Sequence, residues 1–225
     1  IILNDTLGPR ITLYLNTPDF RTGDATHTTP LFVAQLDDSA GINTVGNGIG
    51  HDLTLCIDNS PLLTYTLNDC YTPVAGDYTR GTVQFSIPAL EPGRHTLSFR
   101  AWNLLNHSNT ETLDFEVVRG LRPHLFSVTC TESPARESTT FLLTHDRAES
   151  LLTIRLTVYD LAGRTLWTHQ EAGVAAGDPH TVVWDLCSNN GQRLAPGIYI
   201  YRASIVSEGS KESAKGGKMI ILNGY

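Results

Sequence analysis

The sequence is short of several things, and each shortage removes a class of protein. Only 17% of its 225 residues are charged, against 40% hydrophobic, which is the balance of a folded chain and not of a disordered one. Basic residues are the minority: 16 Lys and Arg stand against 23 Asp and Glu, for a net charge of −7. A nucleic-acid surface needs clustered cations, so that function is excluded as an expectation. No run of about 18 apolar residues occurs, so no transmembrane helix is expected. There is a single Met, and the opening Ile1-Ile2-Leu3 has no basic segment ahead of it. This beginning reads as an internal boundary, with any targeting signal lying upstream.

Cysteine is scarce too. Cys56, Cys70, Cys130 and Cys187 form no CxxC pair and no zinc spacing. Two fall in each half, so one disulfide per half and four unbonded thiols both stay open. The eight histidines (27, 51, 95, 107, 124, 145, 169 and 180) show neither HxxxH nor HExxH spacing and read as structural. Asp37, Asp38, Asp52 and Asp58 are the nearest thing to a calcium set, but no DxDxDG loop frames them. No catalytic residue, cofactor site or metal site is assigned.

What is present is period-two alternation broken by turn residues. Val83, Phe85 and Ile87 alternate with Thr82, Gln84 and Ser86; Leu113, Phe115 and Val117 alternate with Thr112, Asp114 and Glu116. One apolar and one polar face per run is the mark of antiparallel strands with a single buried face. Seven runs are expected in the first half, at 10–15, 31–36, 52–57, 63–67, 81–87, 95–102 and 112–118, with every proline in a loop or at a strand entry. Residues 41–50 form a glycine-rich loop with no following helix to make a phosphate cradle. Seven more runs follow, at 125–129, 139–143, 151–160, 165–170, 180–185, 197–205 and 218–222. The fold class is therefore all-β: two tandem immunoglobulin-like Greek-key β-sandwich domains, 1–118 and 125–225, joined by a linker at 119–124.

The second half carries the most distinctive string. It runs Tyr159-Asp160-Leu161-Ala162-Gly163-Arg164, Val183-Trp184-Asp185, Asn189-Asn190-Gly191, Pro196-Gly197-Ile198-Tyr199-Ile200-Tyr201-Arg202 and Lys218-Met219-Ile220-Ile221-Leu222. In this order the pieces resemble the C-terminal sorting-type domain of type IX secretion, over about residues 125–222. The first half adds Gly8-Pro9-Arg10-Ile11, Leu36-Asp37-Asp38-Ser39-Ala40-Gly41, Gly46-Asn47-Gly48-Ile49-Gly50-His51-Asp52, Leu90-Glu91-Pro92-Gly93-Arg94-His95 and Arg100-Ala101-Trp102-Asn103. Together the two halves are similar to the C-terminal region of the gingipain-like sortases of that system.

The resemblance implies a surface cysteine peptidase whose catalytic Cys and His lie upstream of Ile1, which removes C-terminal signals from cargo and helps join cargo to a lipopolysaccharide anchor. It implies a Gram-negative cell surface, outer-membrane association, and partners among the components of the secretion and attachment complex, with anionic lipopolysaccharide as a further candidate. None of the four Cys sits in a catalytic context, and a Cys130–Cys187 bond stays open. On an otherwise acidic chain, Arg202, Lys211, Lys215 and Lys218 form a positive cluster, which is the candidate docking surface for an acidic partner or glycolipid. Two other readings remain at this point: the end of an exported cargo protein with a cleavable last domain, or a carbohydrate-binding module using Tyr65, Tyr71 and Tyr78.

Overall fold

The computed structural model describes residues 7–45, 50–175, 177–207 and 209–223. The chain divides into two compact units, Ile1–Val118 and Arg119–Tyr225. Among the described residues every element longer than a single turn is a strand.

In the first unit, β1 (Arg10–Leu15), β3 (Leu31–Asp37), β7 (Asp77–Ser86) and β6 (Tyr71–Val74) make one sheet in the order β1-β3-β7-β6. The facing sheet has the order β2-β9-β8-β4-β5, built from β2 (Ala25–Thr26), β9 (Ser108–Val117), β8 (Gly93–Trp102), β4 (Thr54–Ile57) and β5 (Thr64–Thr66). Among the described residues of this unit, β2 and β9 are the one strand pair that runs parallel. The inward members of the alternating runs fill the space between the sheets: Phe32, Ala34, Leu55, Val83, Leu97 and Phe99 are buried completely. Each large side chain among them contributes on the order of 1.5–3 kcal/mol through the water it leaves.

Two strands fall outside the expected seven. β2 is only two residues long, too short to alternate. β6 contains Pro73, so the expectation that every proline sits outside the strands is corrected here. β6 lies at the sheet edge, where a missing N–H costs no ladder bond.

The second unit has β10 (Leu125–Cys130), β11 (Thr139–His145) and β14 (His180–Trp184) in one sheet. The other sheet has the order β13-β12-β15-β16, from β13 (Thr165–Ala175), β12 (Leu151–Tyr159), β15 (Gly197–Ser207) and β16 (Ser213–Ile221). All pairings in both sheets are antiparallel. Such non-sequential neighbours across two sheets define an immunoglobulin-like sandwich. β16 starts five residues earlier than the run at 218–222 because Gly216-Gly217 looks like a turn in sequence. In the structure Gly217 instead faces Tyr201 across the ladder, and a Cβ there would collide with the phenol.

The segment read as a short linker is held at 121–122. Arg147, 1% exposed, donates from Nη2 to the carbonyls of Leu121 (3.1 Å) and Arg122 (3.2 Å) while its Nη1 meets Asp146 Oδ2 at 2.6 Å.

Candidate docking surface

The motif pieces of the second unit turn out to be folding devices. Asp160 Oδ1 accepts the N–H groups of Ala162 and Arg164, closing the turn after β12, with Gly163 at φ 80°. Trp184 is 2% exposed and donates from Nε1 to Cys187 O at 2.8 Å. Asn190 Oδ1 accepts from Gln192 N, and Gly191 completes that turn at φ 79°. Tyr199 donates its phenol proton to Ala195 O at 2.6 Å, and Tyr201 donates to Val128 O at 3.2 Å. These residues are spent on the fold.

What they leave over is the outer face of the β15–β16 hairpin. In the register, Ile198 pairs with Ile220, Ile200 with Lys218 and Arg202 with Gly216, and directly paired residues share a face. Tyr199, Tyr201, Met219 and Ile221 point into the core. Their alternates Ile198, Ile200 and Ile220 are 49%, 38% and 40% exposed, where a half-solvated strand ordinarily carries polar residues. Apolar on both faces, the run Gly197-Ile198-Tyr199-Ile200-Tyr201 hides this from a reading that looks only for alternation. A shallow trough of about 430 Å³ lies here, lined by Ile200, Arg202, Ala214, Gly216 and Lys218 among others.

The positive cluster is divided by the structure. Arg202 pairs with Glu212 at 3.0 Å, and Glu212 is held below the ordinary carboxylate range by the Ser204 hydrogen bond and by Arg202. Lys215 belongs to the opposite face: its Nζ donates to Phe126 O at 2.6 Å, bridging β16 to β10. Lys218 and Lys211 are exposed, and Lys218 stands beside the trough.

The remaining candidates are dispersed. Asp37 pairs with Arg80, Asp38 accepts from Ala40 N and Asn103 Nδ2, and Asp52 accepts from Asn68 Nδ2. Asp58 receives His95 Nδ1 at 2.7 Å and Thr96 N at 3.0 Å, while His95 Nε2 meets Glu91 O at 2.8 Å. With both ring nitrogens occupied, His95 is a brace and not a base. Among the described residues no three His, Cys, Asp or Glu are arranged to hold a metal ion. Tyr65 and Tyr71 pack against the core and Tyr78 is exposed, so the three rings do not form one platform. The middle of the glycine-rich loop, Gly46-Asn47-Gly48-Ile49, lies outside the described residues.

All four cysteines are free thiols, so neither half carries the disulfide that the sequence allowed. Burial pushes the Cys130 thiol up; loss of solvation and the neighbouring Asp185 push up Cys187. Thiols held protonated are poor nucleophiles.

Sequence reading also missed a buried cluster in the second unit. His145 is 1% exposed, with Nδ1 accepting from Arg147 N at 3.1 Å, and burial pulls its pKa down. Nearby, Glu171 Oε1 lies in hydrogen-bond contact with His169 Nε2 at 2.7 Å, and its Oε2 lies 3.1 Å from His180 Nε2 at ion-pair distance. No spacing rule gathers these residues, because β11, the turn after it, β13 and β14 supply them.

The fold and surface define a class: tandem immunoglobulin-like sandwiches, with an apolar, cation-flanked hairpin as the exposed feature. No protein-family model and no curated protein matches the sequence. Among solved structures, the chain is similar to dimeric latent PorU from Porphyromonas gingivalis, with 37% identity, 97% of this chain covered and a TM-score of 0.55. The chain spans about a fifth of PorU's length, 20%. PorZ, an essential surface component of the type-IX secretion system of the same organism, aligns at 20% identity over 43% of this chain and 12% of its own, with a TM-score of 0.29, a likeness too slight to bear on function.

Proposed function

We propose that this chain is the non-catalytic C-terminal region of a surface cysteine peptidase of the gingipain-like sortase class, serving type IX secretion. Its second unit docks the parent at the outer membrane through protein–protein contacts with components of the secretion and attachment complex. The parent's upstream domain would remove C-terminal sorting signals from cargo. The observation that carries this reading is the 37% identity to PorU, sustained over 97% of the chain rather than confined to one motif. Shared fold alone would not carry it, because sandwiches serve many functions. The motif residues of the second unit act in folding, which leaves the outward positions of β15 and β16 as the place where docking contacts are sought.

The test removes residues 119–225 from the full-length parent. Peptidase activity on a small soluble substrate is expected to persist, while the protein is expected to leave the cell surface for the medium. Unchanged surface retention would overturn the docking role, and measurable peptidase turnover by the 225-residue chain alone would overturn its non-catalytic assignment.

A further inference from the structure

A second apolar surface lies at one end of the first unit, where the turn between β8 and β9 stands beside residue 7. Central turn positions ordinarily carry Gly, Asn, Asp or Ser. In the turn at 103–107 they are Leu104 and Leu105, and Asn106 alone supplies a positive φ, 65°. Leu7, Tyr78, Leu104 and Leu105 are each between 53% and 75% exposed. They belong together. A Cβ at Gly41 would meet Tyr78 Cδ2 at 2.8 Å and Leu104 Cδ1 at 3.0 Å, so both side chains close over that glycine. The carbonyl of Leu7 is tied to Asn103, the residue before Leu104.

The frame beneath these side chains is braced. Asn103 is completely buried, and its Nδ2 donates to Leu7 O at 3.0 Å and to Asp38 Oδ2 at 3.1 Å. Its Oδ1 accepts from Leu105 N at 3.0 Å and from His107 N at 2.9 Å. Leu104 N donates to Gly41 O at 3.0 Å. One saturated amide thus fixes three segments, and apolar side chains shown on so ordered a frame lose little further freedom on contact. The core covers less than half of each, which marks the group as a contact surface.

Charge and position select the occupant. Arg80, two residues from Tyr78 on β7, is taken up by Asp37 and Asp77. The patch therefore offers apolar contact and not cations, which suits a protein face better than an anionic lipid surface. Leu7 is itself part of the patch, and in the parent proposed above the peptidase domain lies upstream of Ile1. The six residues before Leu7 span at most about 20 Å. A domain joined there meets the patch at an effective concentration on the order of millimolar, which a free partner would have to exceed.

We propose that the apolar end of the first unit, formed by Leu7, Tyr78, Leu104 and Leu105, packs against an apolar face of the parent's upstream domain. The first unit is then a fixed seat for the peptidase and not a tethered spacer. This rests on the upstream-peptidase reading and names the surface that holds that domain.

Hydroxyl-radical footprinting tests it, because the radical marks Leu and Tyr side chains according to their exposure. The 225-residue chain and the full-length parent are oxidised in parallel. Tyr78, Leu104 and Leu105 should be marked about tenfold more slowly in the parent, at every protein concentration. Leu62, 91% exposed elsewhere in the first unit, should be marked equally in both. Leu105→Asp should leave urea unfolding of the 225-residue chain unchanged, since that side chain is exposed there. In the parent it should restore the marking of Tyr78, because the seat would bury an unpaired carboxylate. Equal marking of the patch in chain and parent, slowing that extends equally to Leu62, or Tyr78 protection kept in Leu105→Asp would each overturn the proposal. Protection that grows with protein concentration would overturn it in favour of a second copy. Protection of the parent only when vesicles of anionic phospholipid are added would overturn it in favour of a membrane. A parent that shows the protection but cleaves no peptide substrate would leave the seat standing and sink the peptidase reading. An active peptidase whose patch is marked as in the 225-residue chain would do the reverse.

Discussion

Tyr199 and Ala195 are joined by a hydrogen bond of 2.6 Å from the phenol to the carbonyl four residues upstream. The bond ties the start of β15 to the loop that precedes it, as in the tyrosine corner of immunoglobulin-like sandwiches. It gives the Gly197-Ile198-Tyr199 motif a structural reason. Tyr199→Phe keeps the ring but loses the bond, and Ala195 is exposed enough for water to replace it. The expected cost is about 1 kcal/mol in urea unfolding of the second unit. An unchanged midpoint would remove the corner from the account.

Arg147 holds Leu121 and Arg122 by their carbonyls. Arg147→Ala should cost about 2–3 kcal/mol, since hydrogen bonds from a buried charged group are lost together. Arg147→Lys should recover only part, because an ammonium cannot reproduce the guanidinium fork. Trypsin should cut after Arg119, at the entry to this gripped segment, faster in both variants.

Acidification should affect the two units in opposite directions. Partial burial pulls the His95 pKa down, but hydrogen bonds to Asp58 and Glu91 O outweigh it and raise it above 6.5. The folded state therefore holds this proton more tightly than the unfolded chain. Its contribution is complete below 6.5 and is lost as pH rises through the folded value. His145 is the reverse: burial lowers its pKa, so its stabilisation is present above 6.5 and declines as pH falls toward the folded value. His95→Gln should flatten the first dependence and His145→Gln the second, measured by unit-resolved hydrogen exchange between about pH 5 and 8.

With four free cysteines, the unfolded protein should react with four equivalents of thiol reagent in the absence of reductant. In the folded state at neutral pH, Cys130 should lag far behind a small model thiol, since burial holds it protonated. Two equivalents instead of four would mean that one bridge forms.

Much of this fold could be read from the chain because one-sided burial writes itself as alternation. Val83, Leu97 and Phe99 stand alternately with polar neighbours, and each is buried completely. Edge elements were harder. β6 carries Pro73 and buries no residue, so it leaves no alternation to find. The surface was harder still. The charge count singled out four cations, but which face each occupies depends on the β15–β16 register, which sends Lys215 to Phe126 and leaves Lys218 outside. Ile198 and Ile200 resembled core residues because apolar neighbours flank them on both sides. His145 gave no signal, because Asp178 and His180 come beside it only once β11 and β14 have paired.

The most direct test of the account is intact-mass analysis of the mature parent protein recovered from the cell surface. A positioning region that is kept predicts a mass that includes the chain through β16. A mass ending between Gly120 and Pro134, with the second unit gone, would make that unit a cleaved sorting signal and contradict the account.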